Sequence, residues 1–519
     1  MNSPAKTPFG SQDRPGHAVV DRRQSGAPRS ALFSLAFAAL ALFGGCALGP
    51  NYERPEAAAI PAAYAGASGE WKASRPQAQM PKGDWWEVFA DPKLDALETQ
   101  ANAGDQQLKA AAEKFAEARA TMDFTRAGFF PAITASGLYT RQRASANSPL
   151  ETTGQPYGQS ATYNDYALPL DVSYEFDVWG RVRRSVESAR AQVQASADDF
   201  QAVQLAIEAE IAVDYFSLQA LDSEQAVIRS SIQVFAASLD LTQHRRAGGI
   251  ATDLDVAEAE TLLKTTEAQL PAVALQRAQF EHALALLIGE PASTFRVPES
   301  PLSVEAPQIP SGLPSELLER RPDVSAAERR MAAANANIGV AQAAFFPSLQ
   351  LSGVAGLASV STGSLLTSPS GFWALGPSLS LPLFEGGRLR AGLAYAKASY
   401  QEVVANYRQA VLSACSEVED SLAAQSLIST QYQTEGEALV AARKQLELAN
   451  NRYRDGLVTY LEVATAEGAE LNIEFSTVQL RGEQLVAAVN LVKSLGGGWQ
   501  EAALTRRGAR AVNNLLKEN

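Results

Sequence analysis

Residues 244–260, HRRAGGIATDLDVAEAE, return in altered form at 451–467, NRYRDGLVTYLEVATAE, and this duplication limits the possible folds more than any other feature. Arg245/Arg452, Gly249/Gly456, Thr252/Thr459, Leu254/Leu461, Val256/Val463 and Glu260/Glu467 fall in one register, 207 residues apart. The same spacing pairs Gly180-Arg181-Val182-Arg183 with Gly387-Arg388-Leu389-Arg390, and Gly289 with Gly496. Further upstream, FFPAITASG at 129–137 matches FFPSLQLSG at 345–353 with a spacing of 216. The first half therefore has nine additional residues between that motif and Gly180. Whatever one half builds, the chain builds twice.

Within each half the apolar period changes. After Pro131, Ile133, Ala135 and Tyr139 share one parity while Thr134, Ser136 and Thr140 take the other, which predicts a strand. Leu168, Leu170, Val172, Tyr174 and Phe176 alternate with Pro169, Asp171, Ser173, Glu175 and Asp177. Trp373, Leu375, Leu379, Leu381 and Leu383 alternate with Ala374, Gly376, Ser378, Ser380 and Pro382 in the second half. About ten residues per strand suits a tilted membrane strand, although a half-buried hairpin of a soluble protein has the same pattern.

From Arg181 to Gly248 there is no proline and no glycine before Gly248, while Val193, Phe200, Ile207, Ile211 and Phe216 recur at helical intervals. Such a helix is on the order of 100 Å long at 1.5 Å per residue. Its copy runs from Arg388 to Arg454, and each long helix ends in the glycine motif and returns through a shorter helix, 253–288 or 460–495. Alanine on several faces suits a helical wall better than a simple coiled coil, which would concentrate leucine at two heptad positions. The fold class expected is an internally duplicated α+β membrane protein. Four strands per chain contribute to an oligomeric transmembrane β-barrel, continued by a long α-helical barrel. An open four-stranded sheet would leave two unsatisfied edges in lipid, so closure is shared: three copies give twelve strands and four give sixteen.

No apolar run of 18 residues follows the first fifty positions, which excludes a polytopic helical membrane protein. Arg22, Arg23 and Arg29 precede the apolar run Ala31–Leu42 and then Phe43-Gly44-Gly45-Cys46, the order of a secretory signal. Small residues before Cys46 mark it as an acylation site, with ordinary cleavage after Ala47 the alternative. Removing 1–45 takes away five basic and two acidic groups and deepens the formal charge of −13, which disfavours a nucleic-acid partner. Cys46 and Cys415 are the only cysteines, and the three histidines have no ligand partners at metal spacing. No nucleophile elbow, phosphate loop or paired metal ligands occur, so neither an enzyme nor a cofactor is expected.

The chain resembles the TolC-like outer membrane factors, specifically the lipoprotein (NodT/OprM-like) branch that serves resistance-nodulation-division efflux systems. The marks are Cys46-Ala47-Leu48-Gly49-Pro50-Asn51-Tyr52 with Arg54-Pro55, Trp85-Trp86 with Phe89, Asp91-Pro92 and Leu94-Asp95. Further on come Leu313-Pro314-Ser315, Arg320-Arg321-Pro322-Asp323, Ala327-Glu328, Phe345-Phe346-Pro347 and Leu495-Gly496-Gly497-Gly498-Trp499. The resemblance implies a homotrimer with a twelve-stranded barrel, an α-helical barrel and a mixed equatorial region, anchored through Cys46 in outer-membrane lipid of a Gram-negative cell and reaching into the periplasm. Its partners would be a periplasmic adaptor protein and an inner-membrane proton-driven transporter, and its role small-molecule or drug efflux. A duct for type I protein secretion is the alternative. The expected organisation is a signal peptide 1–45, a lipidated segment 46–90 and repeat 1 at 91–290. An equatorial linker 291–322, repeat 2 at 323–498 and a tail 499–519 follow.

Asp171, Glu175 and Asp177 carry the parity opposite the apolar residues, which predicts a cation-favouring pore lining, with salt bridges to neighbouring strands as the competing reading. Gly249, Thr252, Leu254, Gly456, Thr459 and Leu461 sit at the two helical tips, where the resemblance implies adaptor docking; helix capping by the threonines is compatible with it. Family members close the periplasmic aperture with an Asp and an Arg three residues apart, positions that fall on Thr465 and Gly468 here. Arg452, Arg454, Asp455, Glu462 and Glu467 are the candidate substitutes.

Overall fold

The computed structural model describes residues 47–54, 84–143, 162–307 and 320–497, with the single positions 145, 160 and 309. The expected signal segment, Cys46, residues 55–83, residues 310–319 of the linker and the tail 499–519 lie outside the described residues.

In the first half, helices α1 (Pro92–Gly104) and α2 (Gln106–Arg126) lead into β1 (Ala132–Ala135), β2 (Leu138–Arg143) and β3 (Thr162–Phe176). Helices α3 (Arg181–Ala247) and α4 (Asp253–Leu287) follow. The second half has α5 (Pro322–Ala343), β4 (Ser348–Ser359), β5 (Gly371–Ser380), α6 (Arg388–Arg454) and α7 (Tyr460–Ser494). The long helices have 67 residues each and the returning ones 35, and all four boundaries of the helical hairpin are 207 residues apart in the two halves. At 1.5 Å per residue the long helices span about 100 Å.

The strands form one antiparallel sheet in the order β1-β3-β4-β5, with β2 also paired to β3. β1 and β2 occupy one strand position, since Ala135↔Leu170 and Leu138↔Ala167 keep a single register across Ser136 and Gly137. Four strand positions therefore stand where the period-2 pattern predicts them. The last expected residues do not: β5 ends at Ser380, paired with Ser348, so Leu381 and Leu383 lie beyond the ladder. Pro382 has no N–H to give, and Ser348 is already the first residue of β4.

The largest core lies at the waist of the long helices, where Ile211, Tyr215, Phe216 and Leu218 of α3 bury against Trp85, Phe89 and Leu94, the C-terminal parts of α4 and α7, and Phe295, Val297 and Leu302. A second core joins α5, α6 and the end of α7 around Val324, Met331, Tyr407 and Val418. Away from these belts the long helices are only half covered, the pattern of a narrow, alanine-rich helix with contacts on two sides.

Candidate functional site: the sheet face and the helical tips

The register sorts the sheet into two faces. Ile133, Val172, Gly353 and Leu375 lie in one row and Ala135, Leu170, Ala355 and Trp373 in the next, all on the apolar face. Thr134, Asp171, Val354 and Ala374 form a row of the opposite face, where Ser173, Ser352 and Gly376 follow. Rings bound the apolar band: Tyr139 and Tyr166 lie 4.8 Å apart at one end, Tyr174 and Phe176 5.0 Å apart at the other. Tyr166 and Phe176 are ten residues apart on β3, so the band is about 33 Å along the strand and about 25 Å high at the usual barrel tilt. Below it Trp179 packs on Phe346 and its indole N–H donates to the Pro347 carbonyl at 2.8 Å, tying the bases of both hairpins together.

Asp171 stands mid-strand on the polar face as expected. Glu175 shares that face, but its carboxylate accepts two bonds from the Arg181 guanidinium, at 2.8 and 2.5 Å. Asp177 requires a correction. It lies one residue past β3, and its carboxylate accepts from the backbone N–H groups of Val182 and Arg183 at 2.9 Å and from the Arg183 guanidinium at 3.1 Å. Asp177 therefore caps α3. Gly180, the cap residue by position, has no side chain to satisfy the free N–H groups of that helix end. Sequence parity cannot detect this, because the strand stops where the helix begins to demand acceptors.

The tips are built alike. Gly249 (φ 74°) and Gly456 (φ 76°) end their helices in the left-handed region. Ile250 N–H donates to the Arg245 carbonyl and Leu457 N–H to that of Arg452, both at 2.9 Å, which closes the Schellman turn. Ile250, Leu254, Leu457 and Leu461 are 56–70% exposed, four aliphatic side chains presented at equivalent places in the two halves. The caps differ. Thr252 forms a capping box with Asp255, whereas the Thr459 side chain makes no capping bond. Asp255 also accepts from the Tyr460 N–H at 3.3 Å, so one carboxylate serves both returning helices. Burial opposes its ionisation, but the Thr252 N–H and O–H, the Tyr460 N–H and Arg245 outweigh it and hold its pKa below the ordinary value.

Of the aperture candidates, Arg452 and Glu462 form an ion pair at 3.0 Å, and Arg454 and Asp455 are exposed on the last turn. Glu467 is not presented to solvent within the chain. It is buried, accepting from Ser238 at 2.7 Å and from the Tyr460 hydroxyl at 3.0 Å, and burial raises its pKa. Its place one face further round α7 is a matter of helix packing that the 207-residue register could not reveal.

Two arrangements escaped the sequence reading. Arg184 is 4% exposed and donates to the carbonyls of Leu48 and Gly49 and to the Asn51 amide oxygen, while Asn335 holds the Pro50 carbonyl and Tyr52 donates to Glu328. Residues 48–52 thereby strap α3 to α5. Gly49 passes Gly339 so closely that a Cβ on it would lie 2.5 Å from the Gly339 Cα. Arg321 binds Asp323, Glu417 and the Ser494 carbonyl, so the RRPD motif locks the start of α5 to α6 and α7.

The family described as "Outer membrane efflux protein" matches residues 97–290 and again 313–497. This chain belongs to that family. The two matches cover the two halves, and they identify the helical hairpins and sheet as those of an outer-membrane channel protein of efflux systems. Among curated relatives, the "Probable efflux pump outer membrane protein TtgC" of Pseudomonas putida is 34% identical over 476 residues, 91% of this chain and 96% of its own. The "Pyoverdine export outer membrane protein OpmQ" of Pseudomonas aeruginosa is 34% identical over 417 residues, 80% of this chain and 87% of its own. Among solved structures, the outer-membrane channel OprN is 32% identical with a TM-score of 0.78, over 88% of this chain and all of its own. As an outer membrane efflux protein the chain is a channel component of the outer membrane, and its strands are the part suited to lipid.

Proposed function

We propose that three copies of this chain close one twelve-stranded barrel and one helical tube, anchored by acylated Cys46, through which small molecules pass from a proton-driven inner-membrane transporter and its adaptor to the exterior. The observation that carries this reading is the sheet: four strand positions of membrane length, one apolar face, and two edges, β1/β2 and β5, with no partner among the described residues. Lipid does not tolerate such edges, so each edge must meet the opposite edge of another copy. The long hairpins continue the barrel for about 100 Å, the span needed to meet a partner across the periplasm. The exposed aliphatic side chains Ile250, Leu254, Leu457 and Leu461 offer the adaptor an apolar contact on both tips of each copy. Arg452 and Glu462, with Arg454 and Asp455 beside them, supply the charges nearest the aperture. Asp171 is the mid-strand pore-lining charge, because Glu175 is paired with Arg181 and Asp177 caps α3 and pairs with Arg183.

Accumulation of a fluorescent dye in cells that lack the gene, and in cells that carry it on a plasmid, tests the role. Expression should lower dye retention, and Cys46→Ser should leave a precursor without acyl chains by mass spectrometry. Unchanged dye retention together with loss of a secreted protein from the medium would replace efflux by type I secretion. A mature terminus beginning at Leu48 would exclude the lipid anchor.

A further inference from the structure

Two arginines stand on the face of the sheet that carries the apolar band. Arg141 and Arg143 continue the parity of Ile133, Ala135 and Tyr139, and they lie opposite Asn164 and Thr162, the residues that precede Tyr166 and Leu168 on the same face of β3. They occupy the end of β2 farthest from the helices, just beyond the Tyr139–Tyr166 pair that bounds the apolar band. Each two-residue step advances about 7 Å along the strand, so the arginines sit about 7 and 14 Å past the tyrosines. That is the depth of lipid headgroups rather than of hydrocarbon.

Both side chains are exposed. Arg143 donates to the Ser160 hydroxyl at 3.0 and 3.3 Å, and neither arginine has a carboxylate partner among the described residues. The neighbouring acid, Asp165, faces the other way, opposite Thr140. In a closed ring the adjoining copy would bring up the outer end of β5, and residues 360–373, VSTGSLLTSPSGFW, contain no acid. A pair of guanidinium groups with no carboxylate partner among the described residues, above an aliphatic and aromatic wall, is complementary to one kind of lipid. It would be acidic at its head, with more than one phosphate, and apolar below.

We propose that Arg141 and Arg143, with Asn164 opposite Arg141 on β3, bind the phosphate groups of the outer-leaflet glycolipid, whose minimal form is bisphosphorylated lipid A. The planar fork of arginine matches a phosphate with two parallel N–H···O bonds, a geometry that a merely cationic surface lacks. Below it Leu168, Leu170 and Trp373 offer the acyl chains a continuous apolar surface. The site fixes the rotational and vertical seat of the barrel in the outer leaflet. The proposal rests on the reading of the sheet as a lipid-facing barrel wall.

The test titrates the full-length protein in detergent with bisphosphorylated lipid A, dephosphorylated lipid A and phosphatidylglycerol, scoring bound lipid by native mass spectrometry. Wild type, Arg141→Gln/Arg143→Gln and Arg141→Lys/Arg143→Lys are compared. Binding of bisphosphorylated lipid A should fall on the order of tenfold for each arginine lost, with the lysine variant intermediate. Removing the phosphates from the lipid should weaken wild type by a similar factor and leave the glutamine variant unaffected. Equal binding by wild type and the glutamine variant overturns the proposal. So does equal binding of phosphatidylglycerol, which would mean a headgroup-insensitive cationic rim, and so does displacement of lipid A by millimolar inorganic phosphate, which would mean a free-anion site. If the glutamine variant fails to assemble, the phosphate-dependence on wild type and the lysine variant decides. Oligomeric state and conductance of the same preparations separate the two readings. Absence of a trimer would sink the barrel, whereas a conducting trimer indifferent to lipid phosphates sinks this site alone.

Discussion

Glu98 shows how much a single side chain can bias the molecule. It is fully buried on α1 with no hydrogen-bond partner for either oxygen among the described residues. Burial first, then Glu208 of α3, then Asp95 of its own helix and Asp84 before it, push its pKa up to about 10. Glu208 is pushed up to about 7 by burial, against the indole N–H of Trp85 and the amide of Gln204. Both folded values lie above the ordinary carboxyl value of 4.5, so the folded state holds protons that the unfolded chain releases. That stabilisation is complete below the unfolded value and is lost as pH rises, through Glu208 up to about 7 and through Glu98 up to about 10. Between pH 7 and 9 the loss through Glu98 continues after that through Glu208 is complete. Glu98→Gln should flatten thermal stability over that window and raise the melting temperature at pH 8. A slope equal to wild type would remove Glu98 as its source. Asp171 and Glu175 make a second residue-scale contrast. Asp171→Asn should reduce cation selectivity, read as reversal potential across a salt gradient in planar bilayers, while the double variant Glu175→Gln/Arg181→Gln, which removes a balanced pair, should leave it nearly unchanged.

The helical tip is the element whose two copies diverge. Asp255 caps its own helix through Thr252 and also holds the Tyr460 N–H, while its counterpart in the second copy, Glu462, turns to Arg452. Asp255→Ala removes acceptors from two helix starts and should cost about 1–3 kcal/mol locally. Hydrogen exchange should then speed up at 252–258 and 459–465 together. Gly456→Val acts differently. Open space surrounds the position, so its cost comes from the positive φ, about 1–2 kcal/mol, with no clash. It should weaken adaptor crosslinking at the tip and leave outer-membrane insertion and pore selectivity intact, since the sheet lies about 100 Å away. Normal crosslinking with altered selectivity would invert the assigned orientation.

At the scale of the whole molecule, the test is whether the two faces of the sheet meet lipid and water. Leu375 and Ala374 are adjacent on β5 and face opposite ways. Leu375→Lys should cost about 2–4 kcal/mol at the bilayer midplane and abolish heat-resistant trimers, whereas Ala374→Lys should assemble and shift selectivity toward anions. Light scattering of the detergent-extracted protein should give three copies, and a monodisperse folded monomer would refute the closed barrel.

Much of this architecture was legible in the chain because it rests on short-range periodicity. The alternation at Leu168–Phe176, the uninterrupted run from Arg181 to Gly248, and the glycines at 249 and 456 each depend on neighbours a few residues away, and the structure has them as strand, long helix and positive-φ turn. The 207-residue repeat also determined that the helical hairpins come in pairs. What parity and spacing could not determine was the state of each charge. Asp177 became a helix cap, Glu175 a partner of Arg181, and Glu467 a buried acceptor, because burial and hydrogen-bond partners come from segments far apart in sequence. Arg184 finds the 48–51 strap 133–136 residues away, and Asp255 finds Tyr460 at 205. Local pattern settles where helices and strands run, because backbone hydrogen bonds and side-chain period are local. Which carboxylates remain free is decided only when the folded chain brings donors to them.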